Sequence, residues 1–136
     1  MATSIQQLRI YTAARELEDK VYELVKAAPA EAAWPLGNDL RRSSAAVSHH
    51  ISESYHRYSY HIKIEALHLA RTEAEKTQRL LEEFGAAGHG KIKDLYEGYT
   101  AAIKQTWGLI KYLKTKQTEQ EPKPEAKKAV ASAGAK

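Results

Sequence analysis

The sequence predicts an all-α protein, an antiparallel up-down-up-down four-helix bundle with a disordered C-terminal tail. Apolar residues recur every three or four positions through four separate stretches of the chain. The connections between these stretches are short, which places consecutive helices side by side and antiparallel. No stretch has the two-residue alternation of apolar and polar side chains that is typical of a half-buried strand.

The first predicted helix covers about residues 8–28 and ends at Pro29, which cannot continue a helix. Its apolar stripe consists of Ile10, Ala14, Leu17, Val21, Leu24, Val25 and Ala28. The sequence is compatible with two starting points for this helix. Ser4 and Gln7 fit a capping box that would begin the helix earlier, whereas Ile5 lies off the stripe, as a residue of an N-terminal arm would.

The second predicted helix covers about residues 36–57 and follows a short linker, Pro29–Pro35, whose Trp34 is expected to plug the end of the bundle. Its inward face is unusually rich in small hydroxyl residues and consists of Leu36, Leu40, Ser43, Ser44, Val47, Ile51 and Ser54. Such a face favours close approach of a neighbouring helix, with the hydroxyls hydrogen-bonded inward.

Two further helices complete the bundle. The third covers about residues 59–84, and its predicted inward residues are Ile62, Ala66, Leu69, Ala70, Ala74, Thr77, Leu80, Leu81 and Phe84. A glycine-rich segment, residues 85–90, then ends that helix and forms a loop. The fourth helix covers about residues 91–118, with Ile92, Leu95, Tyr99, Ile103, Thr106, Ile110 and Leu113 inward.

The length of 136 residues predicts one domain, a bundle over residues 1–118, and a tail over residues 119–136. The tail contains two prolines, many charges and no apolar periodicity. The chain has no cysteine, which excludes disulfides and thiolate metal sites. It also has no run of about 20 apolar residues and no basic start followed by an apolar segment, so a cytoplasmic protein without a membrane partner is expected.

The positive charge of the chain is concentrated in the fourth helix. The net charge is +4, and residues 90–118 alone contain six lysines against two acidic residues. The predicted nucleic-acid-binding residues are Lys93, Lys104 and Lys111 on one outer stripe, with Lys114 and Trp107 at its flank. Lysines at this spacing can follow phosphates, and an aromatic ring beside them can stack on a base. The alternative is a solvated face with Trp107 in a subunit contact.

Two blocks of sequence resemble the family of 23S rRNA intervening-sequence proteins. The first is Leu8-x-Ile10-Tyr11-x-x-Ala14-x-x-Leu17-x-x-x-Val21-Tyr22-x-Leu24. The second is Leu40-Arg41-Arg42-Ser43-Ser44, then Val47-Ser48, Ile51-x-Glu53 and Arg57-x-Ser59. The resemblance covers about residues 8–115. The second block departs from the family pattern at two positions, since His50 stands where asparagine is usual and Ser54 stands where glycine is usual, and the third helix has Thr72 and Glu73 where glycine and serine are usual.

This resemblance implies a four-helix bundle that assembles with itself, often as a cyclic pentamer. The function it implies is that of a non-enzymatic homo-oligomeric scaffold with weak binding of RNA or DNA. One branch of the family serves as the accessory protein of diversity-generating retroelements. The alternative function is therefore an accessory protein whose partners are a reverse transcriptase and its template RNA.

The predicted oligomer interface lies on the second helix, beside its core face. It consists of a stripe of mostly small residues, Arg41, Ala45, Ser48 and Ser52, together with Arg42. Small side chains let another helix approach closely. Two alternatives remain open, namely packing of the stripe within one chain and an anionic contact for the two arginines.

The histidines raise the question of a metal site. Glu53 with His56 and Glu65 with His68 have the Glu-x-x-His spacing of di-iron bundles, but the helical wheel places them away from the apolar stripes. We therefore expect no metal and no cofactor.

The sequence contains no Walker loop, no Gly-x-Gly-x-x-Gly motif and no nucleophile elbow, which favours a protein that is not an enzyme. Glu73 falls on the apolar face of the third helix, either paired there or reaching solvent from its edge.

Overall fold

The computed structural model describes the backbone of residues 2–120 and the side chains of residues 5–31 and 34–120. It contains four helices, α1 (Ala2–Ala27), α2 (Ala30–His56), α3 (Tyr60–Ala86) and α4 (Lys93–Gln120). The predicted all-α class and helix count are confirmed for this part of the chain. The helix α4 includes the first two residues of the predicted tail, and the rest of that tail lies outside the described residues.

Contacts near the helix ends show that consecutive helices run antiparallel. Gln7, near the start of α1, donates a hydrogen bond of 3.1 Å to Ser54, near the end of α2. Gly37, near the start of α2, lies against Val25 at the end of α1. The same reversal holds for α3 and α4, because Tyr60 hydrogen-bonds to Gln120 at 3.0 Å. The helices touch in the cyclic order α1, α2, α3, α4, so the α1–α2 and α3–α4 seams lie on opposite sides of the bundle.

Two helices begin earlier than the sequence predicts. The helix α1 starts at Ala2, so no separate arm precedes residue 8 in the described chain. The helix α2 starts at Ala30, directly after Pro29, and contains Pro35. A proline so close to a helix start removes only one intrahelical hydrogen bond, and the alanines around it favour helix. Trp34 is 63% exposed, so the prediction that it plugs the bundle is wrong.

The core confirms most of the predicted stripes. The buried hydrophobic residues are Ile10, Ala14, Leu17, Val21, Ala28, Leu40, Val47, Ile51, Ile64, Ala66, Leu67, Ala70, Ala74, Leu81, Phe84, Leu95, Tyr99, Ala102, Leu109, Ile110 and Leu113. The helix α3 differs from its prediction at four positions, since Ile62 is 43% exposed and Leu69 is 52% exposed, whereas Ile64 and Leu67, which were not predicted to face inward, are buried. Because α3 packs between α2 and α4, its buried face is centred on Leu67, Ala70 and Ala74.

The hydroxyl groups of the α2 face are hydrogen-bonded inside the bundle, as predicted. The hydroxyl oxygens of Ser43 and Thr77 lie 2.8 Å apart, which joins α2 to α3. Ser54 donates to the Ile51 carbonyl at 2.7 Å while it accepts from Gln7. Glu73 is half-buried and has no ion pair among the described residues, so it sits at the edge of the apolar face.

The connections between the helices are short and locally defined. Ser59 caps α3 by accepting a hydrogen bond of 3.4 Å from the backbone N–H of Ile62. Gly88 adopts a positive φ of 79° in the loop before α4, which confirms the predicted glycine turn. Within residues 2–120, none of the helices combines the length and the apolar character that a membrane crossing requires.

Candidate nucleic-acid interface

The predicted lysines of α4 lie on its outer surface, and two of them flank the tryptophan. Lys104, Trp107, Gly108 and Lys111 line an open groove of about 540 Å³. Lys114 is exposed one turn beyond Lys111. Lys93 is exposed as well, but it lies eleven residues before Lys104, which corresponds to about 16 Å along the helix. The structure therefore groups Lys104, Trp107, Lys111 and Lys114 and leaves Lys93 apart.

The helix α3 adds two side chains to this group. The guanidinium carbon of Arg71 lies 4.6 Å from the centre of the Trp107 ring. The His68 ring meets the same indole edge-on, with ring centres 5.5 Å apart. Trp107 keeps 37% of its surface exposed, so one part of the ring is held by α3 and another part faces solvent. We call these six residues, His68, Arg71, Lys104, Trp107, Lys111 and Lys114, the α3–α4 face.

The sequence contains a signal that Arg71 and His68 belong to this face, but the periodicity of each single helix does not reveal it. Arg71 and Trp107 each lie 18 residues from His89, at the centre of the loop between α3 and α4. In an antiparallel pair of helices, positions equally distant from the loop lie side by side. His68 is one turn from Arg71 and shares its flank. Counting outward from the loop would have joined them to the α4 lysines.

The electrostatics of the α3–α4 face are dominated by positive charge. Arg71 also forms an ion pair with Glu75, at 2.9 Å, and its Nε is buried without a hydrogen-bond partner among the described residues. Burial lowers the pKa of His68, and the neighbouring charges of Arg71 and Lys114 lower it further. His68 is therefore neutral at pH 7 and leaves the positive charge to the arginine and the lysines.

The residues predicted as an oligomer interface do not form one surface. Arg41, Arg42 and Ala45 are exposed and line an open furrow of about 490 Å³ between α1 and α2. Ser48 is only 4% exposed and lies in the core of the single chain, so it is not available to a second copy. Ser52 is half-buried. The correction at Ser48 follows from the close packing of α1 against α2.

The two Glu-x-x-His pairs make contacts of other kinds. Glu53 accepts a hydrogen bond of 2.9 Å from Arg57, which lowers the pKa of this carboxyl group. Glu65 lies 3.4 Å from His61, and His68 packs on Trp107. In the chain from residue 2 to residue 120, no three or more histidine, aspartate or glutamate side chains are grouped to hold a metal ion.

Comparisons with known proteins agree with the bundle and with the resemblance. The model of the 23S rRNA-intervening sequence protein family matches residues 6–108. A crystal structure from Bacteroides thetaiotaomicron VPI-5482, of a protein with unknown function from the S23 ribosomal protein family, has a TM-score of 0.73. The two chains are 18% identical, and the match covers 78% of this chain and 98% of that one, which supports a common fold.

Comparison with curated proteins finds no match. The family match spans most of the described bundle, including all of α2 and α3 and the Arg71–Trp107 contact. The family resemblance predicted from the sequence is therefore confirmed, and the chain belongs to the 23S rRNA-intervening sequence protein family.

Proposed function

We propose that this protein is a non-enzymatic, self-associating helical bundle that binds nucleic acid weakly through its α3–α4 face. The observation that carries the proposal is the stacked pair of Arg71 and Trp107 beside two exposed lysines. An arginine on one part of the indole holds the ring in place, and the two lysines supply positive charge where a phosphate would lie. The exposed part of the ring is left for a base.

The spacing along α4 suits a single strand. Lys104 and Lys111 lie three and four residues on either side of Trp107, about one turn away in each direction. A base stacked on Trp107 would bring its flanking phosphates towards these two ammonium groups. Stacking on an aromatic ring tolerates any base, and lysines contact phosphates without reading sequence. We therefore expect weak binding with little sequence preference.

The composition of the groove suits binding rather than catalysis. Its lining consists of a tryptophan, a glycine and two lysines, which provide an aromatic ring and positive charge. The neighbouring His68 packs edge-on against Trp107 instead of facing a hydroxyl nucleophile. These features support a binding surface and a protein that is not an enzyme.

Self-association would strengthen a weak contact by repeating it. Exposed apolar side chains on α3 support an interface there, since Ile62 and Leu69 are two turns apart on one side of the helix and about half exposed. A contact between this stripe and a different surface of the next copy would generate a ring, which the family resemblance predicts to be a pentamer. Several α3–α4 faces in one ring would bind one nucleic acid with a higher apparent affinity.

The nucleic-acid part of the proposal can be tested with tryptophan fluorescence. The chain has two tryptophans, so Trp34→Phe leaves Trp107 as the only one. A single-stranded RNA oligonucleotide should quench its emission, and Lys104→Gln with Lys111→Gln should abolish most of that quenching. The matched control, Lys20→Gln with Lys76→Gln, removes the same charge from exposed sites elsewhere. Equal losses in both double variants would contradict a defined site at Trp107.

The assembly can be tested by light scattering. We expect several times the chain mass of 15.2 kDa at micromolar concentration, and a smaller mass for Leu69→Glu. Ala45→Glu places the same charge on the predicted α2 stripe and should leave the mass unchanged. A monomeric wild-type protein would contradict the proposed assembly. Dissociation by Ala45→Glu but not by Leu69→Glu would instead place the contact on the α2 stripe.

A further inference from the structure

A second charged and aromatic surface lies on the opposite side of the bundle from the α3–α4 face. It is the open furrow of about 490 Å³ between α1 and α2, which we call the α1–α2 furrow. A smaller recess of about 160 Å³ continues from it towards Trp34 and shares Asn38 and Arg41 with it. The two hollows therefore adjoin each other along the seam between the helices.

We propose that the α1–α2 furrow binds a nucleotide unit, a planar base with its phosphate, by stacking the base on Trp34 and pairing the phosphate with Arg41 and Arg42. The choice of ligand class rests on the nucleic-acid binding proposed above. The furrow would be a second contact site on each chain. Its ligand could be a free nucleotide or one unit of a single strand.

The aromatic side chains of the furrow and of the adjoining recess, Tyr22 and Trp34, are exposed, and two cations lie over Tyr22. Trp34 is 63% exposed, and Tyr22 is 42% exposed. The guanidinium carbon of Arg41 lies 4.6 Å from the centre of the Tyr22 ring, and the Lys26 ammonium lies 5.9 Å from the same centre. Tyr22 therefore holds Arg41 at the junction of the furrow and the Trp34 recess, and little side-chain freedom remains to be lost when a phosphate binds.

The arginines of the furrow outnumber its carboxylates. Its two acidic residues, Glu18 and Asp19, are both engaged by Arg15, at 2.7 and 3.5 Å. Arg41 and Arg42 form no ion pair with any described residue. Within the described residues, two guanidinium groups thus remain without a carboxylate, and guanidinium groups are well suited to phosphate oxygens because they can donate two parallel hydrogen bonds.

A polar group is buried beneath the furrow. The Tyr99 hydroxyl is buried and has no hydrogen-bond partner of good geometry among the described residues, although the Ser44 hydroxyl lies near enough to favour its ionised form. Burial raises the pKa of Tyr99, so the group stays a neutral donor. Because this hydroxyl is fully buried, the polar contacts of the ligand come from the exposed Arg41 and Arg42.

A second copy of the chain that meets this one furrow to furrow is a poorer occupant. Two copies that met furrow to furrow would bring Arg41 and Arg42 of one chain against the same arginines of the other, and such like charges repel. The recess beside Trp34 would also remain unfilled in a flat contact between helices. A planar anion suits both the shape and the charge.

The test uses Trp107→Phe, which leaves Trp34 as the only tryptophan. Adenosine monophosphate and a single-stranded oligoadenylate are the two probes. We expect at least one of them to quench Trp34 emission, and Arg41→Gln or Arg42→Gln to weaken that binding about tenfold, the size of one lost charge-assisted hydrogen bond. Arg79→Gln, an exposed charge on α3, is the matched control and should have no effect.

The outcomes separate this proposal from the previous one. Binding of the monophosphate would identify a free-nucleotide site, and binding of the oligonucleotide alone would identify a strand site. No response of Trp34 to either probe at millimolar concentration would overturn the proposal, even if Trp107 still responds in the Trp34→Phe protein. A smaller mass by light scattering for Arg41→Gln without nucleic acid would also overturn it, because a second copy would then occupy the furrow.

Discussion

At the scale of single residues, the polar groups of the core are almost all hydrogen-bonded, and the exceptions are informative. Gln7 is 2% exposed and is held by Ser54, while Ser43 is held by Thr77. The hydroxyl of Tyr99 and the hydroxyl of Ser48 are buried without a partner among the described residues. A buried donor without a partner costs about 1–3 kcal/mol.

Tyr99→Phe should therefore raise the free energy of unfolding by about 1 kcal/mol, because it removes the unpaired hydroxyl and keeps the ring. Chemical denaturation monitored by circular dichroism would measure this change. Gln7→Ala is the matched contrast and should lower the free energy of unfolding by about 2 kcal/mol, because it leaves a cavity and takes a partner from Ser54. A loss of stability in Tyr99→Phe would contradict the assignment of an unpaired hydroxyl.

The stability of the bundle should fall as the pH drops below 6.5. Burial lowers the pKa values of His50 and His68 from an ordinary value of 6.5, and nearby His49 and Arg71 add to the effect. The unfolded chain then binds protons in a range where the folded chain does not, so unfolding is favoured as protons are added. Thermal melts between pH 7.5 and 5 should show this loss. His50→Gln with His68→Gln should flatten it, and an unchanged profile in that variant would contradict the cause.

The polar residues also show which single positions could be predicted from the sequence and which could not. The hydroxyl-rich face of α2 was visible from its period, because Ser43, Ser44 and Ser54 share one face with the apolar residues. The sequence did not predict Gln7 as the hydrogen-bond partner of Ser54, because Gln7 is polar and does not belong to the apolar stripe of the first helix. The burial of Ser48 depends on how closely α1 approaches α2, a distance that the sequence of one helix does not contain.

At the scale of the helices, α4 packs against both α1 and α3, and it contains two glycines with different effects. Gly98 lies where α1 comes close, since a Cβ atom added there would stand 2.5 Å from Leu17 Cδ2. Gly108 is in the same helix, but a Cβ added there would meet nothing within 4 Å. Gly98 thus allows α1 to pack closely against α4, whereas Gly108 lowers the helix propensity of α4 and makes no such close contact.

This difference predicts opposite effects of one substitution at two positions of α4. Gly108→Ala should raise the free energy of unfolding by about 0.5–1 kcal/mol, because alanine restricts the unfolded chain and favours helix. Gly98→Ala gains the same helix preference but must displace Leu17, and it should be neutral or destabilising. Urea denaturation of the two variants provides the comparison. Equal stabilisation of both would mean that α1 does not approach α4 closely at Gly98.

The helices also explain why the candidate site was only half predicted. The lysines and Trp107 follow one another on α4, so their period revealed them. Arg71 and His68 belong to α3, and their place depends on the antiparallel register of two helices. The face of α3 was misjudged for a related reason, because Ile62 and Leu69 match the apolar period and yet fall outside the side that α2 and α4 cover.

At the scale of the whole molecule, the bundle carries two positive surfaces on opposite sides and an apolar stripe on α3. The α3–α4 face combines a held indole with lysines on both sides. The α1–α2 furrow and its adjoining recess combine two arginines, which pair with no carboxylate in the described part of the chain, with Trp34. The excess of positive charge is modest in one chain, so its effect would depend on repetition in an assembly. The apolar stripe of Ile62 and Leu69 offers a contact for that assembly, and the positive surfaces would then be repeated around it.

The most direct test of the central claim is the salt dependence of RNA binding at the α3–α4 face. Fluorescence anisotropy with a labelled single-stranded RNA, measured from low to high salt, gives the slope of log affinity against log salt concentration. Each phosphate contact contributes about 0.7 to that slope for a single strand. We predict that Lys104→Gln with Lys111→Gln reduces the slope by about 1.4, while Lys20→Gln with Lys76→Gln leaves it unchanged. An affinity that does not depend on salt, or the same slope in both double variants, would contradict phosphate binding by this face.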